Sequence, residues 1–339
     1  MFTRDIGIDL GTANTSVCVK EKGIIMREPS VVAYDVRTDE VKAVGKAAKE
    51  MIGRTPGSIV AVRPLKNGVI ADFDVTAAML KRFIKDSQKG SFFNRARVLI
   101  TIPAGVTEVE SRAVYDAAKQ AGATEVDLIE VPVAAAMGAG LEISDPSGFM
   151  IVDIGGGTTE VAIISLGGIV TAQSVRVAGD QFDDAITAYA RRKHRIAIGE
   201  RTAEDIKIGI GSAVPYEDEG KMEVRGRNVD DGLPKTVTLT AGEVRDAIRP
   251  SLEKIVDTIK NTLEKTPPEL ASDIMDNGIV LTGGGSQLRG LAAYISNETE
   301  LVATLADNPT DCAVLGTLKR LESGTGFDTY IFRRGRQYR

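Results

Sequence analysis

The 339-residue chain has no tryptophan, one histidine, two cysteines and only 5% aromatic residues. One histidine with two cysteines far apart in sequence, Cys18 and Cys312, does not make a His/Cys zinc site. Both cysteines sit among apolar residues and read as buried thiols of a reducing compartment, not as a disulfide framework. His194 follows Arg191-Arg192-Lys193 and reads as a solvated helix residue. No apolar run approaches the ~18 residues of a membrane-spanning helix. The strand pattern starts at Ile6 with no apolar leader before it, so no secretory signal is expected. The net charge of -5 argues against bulk nucleic-acid binding, and no nucleic-acid partner is expected. Two common nucleotide signatures are missing too: no G-x-G-x-x-G follows a strand, and no G-x-x-x-x-G-K-[ST] occurs.

Glycine, by contrast, is abundant at 35 residues, and it marks a repeat. Asp9-Leu10-Gly11-Thr12-Ala13-Asn14-Thr15-Ser16-Val17 returns in the second half as Asp153-Ile154-Gly155-Gly156-Gly157-Thr158-Thr159-Glu160-Val161. Each copy has an apolar run before it and apolar residues after it, the pattern of a strand, a small-residue turn opened by an aspartate, and a second strand. Two such hairpins predict two related domains facing a shared ligand, and the length suits two domains.

Strands alternate with helices along the rest of the chain, which predicts an α/β fold. Helical spacing covers 75–85, and a further helix opens at Thr107-Glu108-Val109-Glu110 and runs to about Gln120. The strand 126–131 leads through Pro132 into an alanine-rich helix. Asp145-Pro146-Ser147-Gly148 separates the halves. In the second half, Thr240-Ala241-Gly242-Glu243 reads as a capping box, Pro250 is expected to kink the helix that follows, and a helix is expected from about Gln287.

Backbone N–H groups of glycine turns can point at phosphate oxygens, because no Cβ blocks the approach. Thr12-Ala13-Asn14 and Gly156-Gly157-Thr158 would each supply such a cradle. A nucleoside triphosphate brings Mg²⁺, which keeps several waters and takes one or two carboxylates. Asp9 and Asp153 are placed to hold those waters from opposite sides. Gly283-Gly284-Gly285 forms a third turn at a strand end, suited to close contact with a base or ribose.

Together, Asp-x-Gly-Thr, Asp-Ile-Gly-Gly-Gly-Thr-Thr and Thr-Gly-Gly-Gly resemble the two phosphate motifs and the adenosine motif of the actin-like ATPase superfamily. Ile8 to Thr15, Asn67-Gly68-Val69-Ile70-Ala71-Asp72-Phe73, Gly199-Glu200-Arg201-Thr202-Ala203-Glu204, Arg225-Gly226-Arg227 and Lys265-Thr266-Pro267-Pro268-Glu269-Leu270 resemble the MreB family of bacterial actins within it. The resemblance covers essentially the whole chain. It implies an actin-like ATPase fold of two similar domains, 1–143 and 144–309, around a nucleotide cleft. Small subdomains would cover about 33–75 and 180–238, and 310–339 would return to the first domain. It implies ATP and Mg²⁺ as cofactors, self-assembly into paired filaments, a cytoplasmic protein held at the inner face of the cell membrane, and a link to cell-wall elongation proteins. Phosphate would be held by Gly11, Thr12, Ala13 and Asn14 on one side and by Gly155, Gly156, Gly157 and Thr158 on the other. Glu204 and Lys207 would touch the ribose, and Gly283, Gly284, Gly285, Ser286 and Gln287 would line the adenine end. The family has Gly-Gly-Ala-Leu at this last place, so Ser286 and Gln287 are mild departures.

A larger departure lies before the alanine-rich helix. The family pattern Ile-Glu-Glu-Pro stands here as Ile129-Glu130-Val131-Pro132. The glutamate before proline is the one expected to orient or activate the attacking water, and Val131 can do neither. Glu130 would face the opposite side of its strand and serve only after a backbone shift. Catalysis would then rest on Asp153 and on Glu130 if it shifts, so slow hydrolysis is expected, since a general base contributes ~10²–10⁴-fold. Phe92 and Phe93, among Lys89, Arg95 and Arg97, would suit an anionic bilayer surface or a loop tucked into the core; the resemblance favours the membrane. A sugar-kinase-type phosphotransferase is the alternative on the same core. A DnaK-type chaperone would need a further substrate-binding domain.

Overall fold

The computed structural model describes residues 3–89 and 95–324. Phe92, Phe93 and the basic run 333–339 lie outside the described residues. In the first half, β1 (Arg4–Leu10), β2 (Asn14–Val19) and β3 (Gly23–Pro29) form an antiparallel meander. A small sheet of β4 (Val32–Asp35), β5 (Val41–Val44) and β6 (Ile59–Val62) follows, with α1 (Lys46–Lys49) against it. The short hairpin β7 (Leu65–Lys66) and β8 (Val69–Ile70) turns at Asn67-Gly68. Then come α2 (Phe73–Ser87), β9 (Ala96–Ile102), α3 (Glu108–Gln120), β10 (Glu125–Glu130) and α4 (Val131–Gly138). β9 and β10 join in parallel, giving the order β10-β9-β1-β2-β3.

The second half repeats this plan. β11 (Phe149–Ile154), β12 (Thr159–Ser165) and β13 (Gly168–Val175) make the meander, followed by α5 (Gly179–His194), β14 (Ile196–Ala197) and α6 (Glu200–Ile210). β15 (Lys221–Asn228) and β16 (Pro234–Thr240) complete a second small sheet with β14. After α7 (Ala241–Glu264) and α8 (Pro268–Asn277), β17 (Ile279–Thr282) runs parallel to β11. A 3₁₀ turn over Gly284–Gln287, α9 (Leu291–Thr299), β18 (Ala303–Leu305) and α10 (Cys312–Glu322) close the described chain. The sheet order is β13-β12-β11-β17-β18. The fold is α/β with two five-stranded sheets of one topology, as the hairpin repeat predicts.

Local chemistry explains several element ends. Thr107 with Glu110 and Thr240 with Glu243 form reciprocal capping boxes. α7 runs from Ala241 to Glu264 with Pro250 inside it. The helix expected from Gln287 begins instead at Leu291, because Gly283 to Gln287 wraps as a 3₁₀ turn and Gly290 takes a left-handed conformation. His194 is half-buried against Glu243 (2.8 Å) and not solvated.

The joint between the sheets is made by α4 and α10. α4 is apolar on nearly all sides, which demands burial all round. Ala135 and Ala136 pack with Ile151, Ala162, Ile164 and Cys312 beneath the second sheet. α10 lies on the first sheet, where Cys18 Sγ meets Thr317 Oγ1 at 3.4 Å and the Val314 carbonyl at 3.6 Å. Glycines let the two helices touch: a Cβ on Gly138 would stand 1.7 Å from the Cys312 oxygen, and one on Gly316 1.7 Å from the Ala134 oxygen.

Candidate functional site

Asp9 lies near the end of β1 and Asp153 near the end of β11, one in each half, and both line a single cleft of about 720 Å³. Their surroundings repeat. Thr101 on β9 donates to Asp9 Oδ1 at 2.8 Å, and Thr282 on β17 donates to Asp153 Oδ1 at 2.8 Å. In each half, a threonine on the neighbouring parallel strand thus fixes the aspartate's rotamer. The second oxygen of each accepts no hydrogen bond from the protein among the described residues. Burial raises Asp9 to about 7, against the pull of Thr101 and with added repulsion from Asp153 and Asp311. Burial likewise raises Asp153 to about 6, against the pull of Thr282. Two recessed carboxylates that resist ionisation alone are the surroundings a hydrated divalent cation would relieve. They therefore fit Mg²⁺ held through its waters.

The two turns meet at the floor of the cleft. A Cβ on Gly156 would stand 2.5 Å from Ala13 Cβ, and one on Gly157 2.7 Å from Thr12 Oγ1, so only glycine lets the halves approach this closely. Thr12 Oγ1 accepts from the Gly68 N–H at 2.8 Å, which ties the first turn to the β7–β8 hairpin. The second turn is held by the start of α5: Gly179 N–H donates to the Gly155 carbonyl at 3.1 Å and Asp180 N–H to the Gly156 carbonyl at 2.7 Å. Gly11, Ala13, Asn14, Gly155 and Thr158 line the same cleft.

The far wall is built from α6 and the turn after β17. Glu204 and Lys207 both line it, and so do Gly283, Gly284, Gly285 and Gln287. Lys207 Nζ is held by the Gly179 carbonyl (3.0 Å) and Asp183 Oδ2 (2.8 Å). Glu204 Oε2 pairs with Lys49 Nζ at 2.7 Å, a bond from one small-sheet region to the other. Beside it, Arg63 reaches Asp180 (3.0 Å) and Glu200 (2.7 Å).

Two residues named from the sequence stand apart from the cleft lining. Ser286 is buried, because its hydroxyl turns back to donate to the Gly283 carbonyl at 2.5 Å. Glu130 lines a separate cavity of about 920 Å³ with Ile129, Val133 and Met137, whereas Val131 lines the cleft. Glu130 is the N-cap residue of α4 and Val131 its first residue, so the two side chains leave the backbone in different directions. Sequence reasoning missed Thr101, Thr282 and Asp311, which takes a bidentate pair from Arg27 at 2.8 Å on both arms. The threonines could have been found by extending the repeat: each sits at a strand end just before a proline or glycine turn. No such signal marked Asp311. Among the described residues no helix is long and apolar enough to cross a membrane, and no group of three or more His, Cys, Asp or Glu gathers as a metal site.

The family model described as "MreB/Mbl protein" matches residues 3–328. The chain is 52% identical over 329 residues to the cell shape-determining protein MreB of Escherichia coli (strain K12), covering 95% of this chain and 94% of the relative. It is 51% identical over 317 residues to the cell shape-determining protein Mbl of Bacillus subtilis (strain 168), with 94% and 95% covered. The crystal structure of MreB 5 of Spiroplasma citri bound to AMPPNP matches with a TM-score of 0.91 at 42% identity, covering 96% of this chain and 98% of that one.

Proposed function

The chain belongs to the MreB/Mbl family of actin-like proteins, and from that premise we propose that it binds ATP with Mg²⁺ in the cleft and assembles into filaments that direct cell shape. The observation that carries this reading is the doubled constellation of aspartate, threonine and small-residue turn facing one space. Thr12, Ala13 and Asn14 hold phosphate from one side, and Gly156, Gly157 and Thr158 from the other. Asp9 and Asp153 hold the cation through its waters; bound there, Mg²⁺ neutralises charge on the phosphates. Glu204 and Lys207 serve the ribose, and Gly283 to Gly285 with Gln287 the adenine end. Glu204 also pairs with Lys49, so ribose binding competes with that pair.

Two domains, 1–143 and 144–309, close on the nucleotide, with small subdomains at about 33–75 and 180–238 and the C-terminal 310–339 returning to the first. Hydrolysis is slow, because Val131 stands where a water-orienting glutamate is expected. Filaments attach to the inner face of the cell membrane through Phe92 and Phe93 and work with the cell-wall elongation proteins. The test is equilibrium binding of a fluorescent ATP analogue together with ATP-dependent pelleting and electron microscopy. Saturable, Mg²⁺-dependent binding and sedimenting filaments are expected; no binding at micromolar protein, or no polymer with or without lipid, would overturn the reading.

A further inference from the structure

Among the described residues that line the cleft, the cations are Arg27, Lys207 and Arg289. Lys207 is held on the far wall by Asp183 and the Gly179 carbonyl, and the Arg289 guanidinium lies 4.3 Å over the Tyr216 ring. Arg27 stands on β3, beside the first phosphate turn, and the reading above gives it no role. Strand pairing sets Asp9 opposite Ser16 and Ser16 opposite Arg27. Directly opposed residues share a face, so these three form one row across β1, β2 and β3, and all three line the cleft. Two strand spacings, about 10 Å, separate Arg27 from Asp9 at the backbone, with only the small Ser16 between them. That leaves space for a ligand group between a carboxylate and a guanidinium. β3 is also tied to the turn itself: the Ser30 N–H donates to the Ala13 carbonyl at 2.9 Å and the Ser30 hydroxyl to the Gly11 carbonyl at 2.6 Å.

Arg27 gives Asp311 only one edge of its guanidinium. Nε and Nη2 donate to the two carboxylate oxygens, each at 2.8 Å, and Nη1 donates to no protein group among the described residues. A guanidinium carries five N–H donors in one plane, so a second anion can take the open edge while Asp311 keeps the first. Asp311 is the N-cap residue of α10, yet its carboxylate makes no bond to the first turn of that helix. Forgoing such a bond weakens a helix start. The Arg27 side chain is 56% exposed, and a pair so exposed adds little to stability. The pair therefore orients a guanidinium more than it holds the fold. Charge points the same way. Asp9, Asp153 and Asp311 all line this space, and ATP with one Mg²⁺ remains an anion that three carboxylates alone would repel.

We propose that Arg27 binds the phosphate chain of the nucleotide through its open edge, with Asp311 as its positioning residue. This rests on the reading of the cleft as an ATP site, and it adds a cation to a cradle otherwise made of backbone N–H groups and hydroxyls. The bond is made to phosphate oxygens, so it serves nucleoside di- and triphosphates and gives adenosine nothing. A lysine at position 27 would keep the charge, but one ammonium cannot hold Asp311 in a bidentate pair and present a second planar edge.

The test compares the full chain with Arg27→Gln, Arg27→Lys and Arg27→Gln/Asp311→Asn. It measures affinity for a fluorescent ATP analogue with Mg²⁺, and the inhibition constants of ATP and of adenosine as competitors. A hydrogen bond between charged groups weighs enough to predict about a 10-fold or greater loss of ATP affinity in Arg27→Gln, with adenosine changed less than about 2-fold. Arg27→Lys should fall between Arg27→Gln and wild type. The double variant keeps the net charge and leaves no carboxylate unpaired, so a pair that merely braces β3 against α10 would bind ATP there as wild type does. The expected result is instead a loss of at least about 5-fold. Wild-type ATP affinity in Arg27→Gln, its recovery in the double variant, or an equal loss for adenosine would each overturn the proposal. If Arg27→Gln does not fold, Arg27→Lys decides by the same comparison of ATP with adenosine. A wild-type chain that fails to bind the analogue refutes the ATP site itself; one that binds it with an affinity indifferent to Arg27 refutes only this role.

Discussion

Val131 and Glu130 differ by one position and face two different cavities. The carboxylate that survives in the motif therefore does not reach the cleft, and returning one to position 131 is the direct repair. Val131→Glu is expected to raise steady-state phosphate release by roughly 10-fold or more; an unchanged rate would mean that the valine limits nothing. The recessed aspartates make a second prediction. A carboxyl group raised in the folded state costs no stability below its unfolded value of ~3.9, and stability is lost as pH rises from there through the folded value. For Asp9 that window runs from about 4 to about 7, so the nucleotide-free chain gives up stability from this group toward neutrality. In the proposed site Mg-ATP would take up the ionised form, so its gain in melting temperature should be larger at about pH 8 than at about pH 6. Asp9→Asn should remove most of that difference in a thermal-shift titration. Asp9 and Asp153 are legible in the sequence because each opens a turn within one short motif. Thr101 is not, because it meets Asp9 across 92 residues of chain.

Elements carried a different share of the information. The capping box at Thr240 to Glu243 is read from four adjacent residues and the structure has it, and the helix start expected at Thr107 to Glu110 closes a second box of the same kind. The apolar character of α4 announced burial on all sides but not its partner. That partner is α10, and the contact depends on Gly138 and Gly316, whose added Cβ atoms would each collide with a backbone carbonyl. Gly316→Val should destabilise the chain by roughly 3 kcal/mol, since neither helix backbone can withdraw from a packed joint. Chemical denaturation measures this, and a loss below ~1 kcal/mol would show that the joint adapts. Ser286 teaches the converse. A turn motif suggested a residue facing the ligand, yet a bond from its hydroxyl to the Gly283 carbonyl turned it into the protein.

The whole molecule is governed by how its halves meet. Lys49–Glu204, Arg63–Asp180 and Arg63–Glu200 join the two small-sheet regions across the cleft mouth. A single partly exposed pair contributes little, but these three bridge the same cleft mouth. Lys49→Ala/Arg63→Ala is expected to speed release of a fluorescent ADP analogue roughly 5- to 10-fold in a stopped-flow chase, and raised salt should mimic part of the effect on wild type. If the proposed membrane attachment holds, Phe92→Ser/Phe93→Ser should abolish flotation with anionic liposomes while leaving ATP-dependent pelleting intact; undiminished flotation would overturn their assignment to it. The sequence by itself determined the doubled hairpin, its aspartates and glycines and the α/β alternation, because these are written in neighbouring residues whose backbone chemistry is local. Only the tertiary structure decided which threonine grips which aspartate, that Glu130 leaves the cleft while Val131 enters it, and that Glu160 takes the Ala104 N–H from the other half. Those facts depend on strand register and on side-chain directions set by packing, between residues that the chain itself keeps far apart.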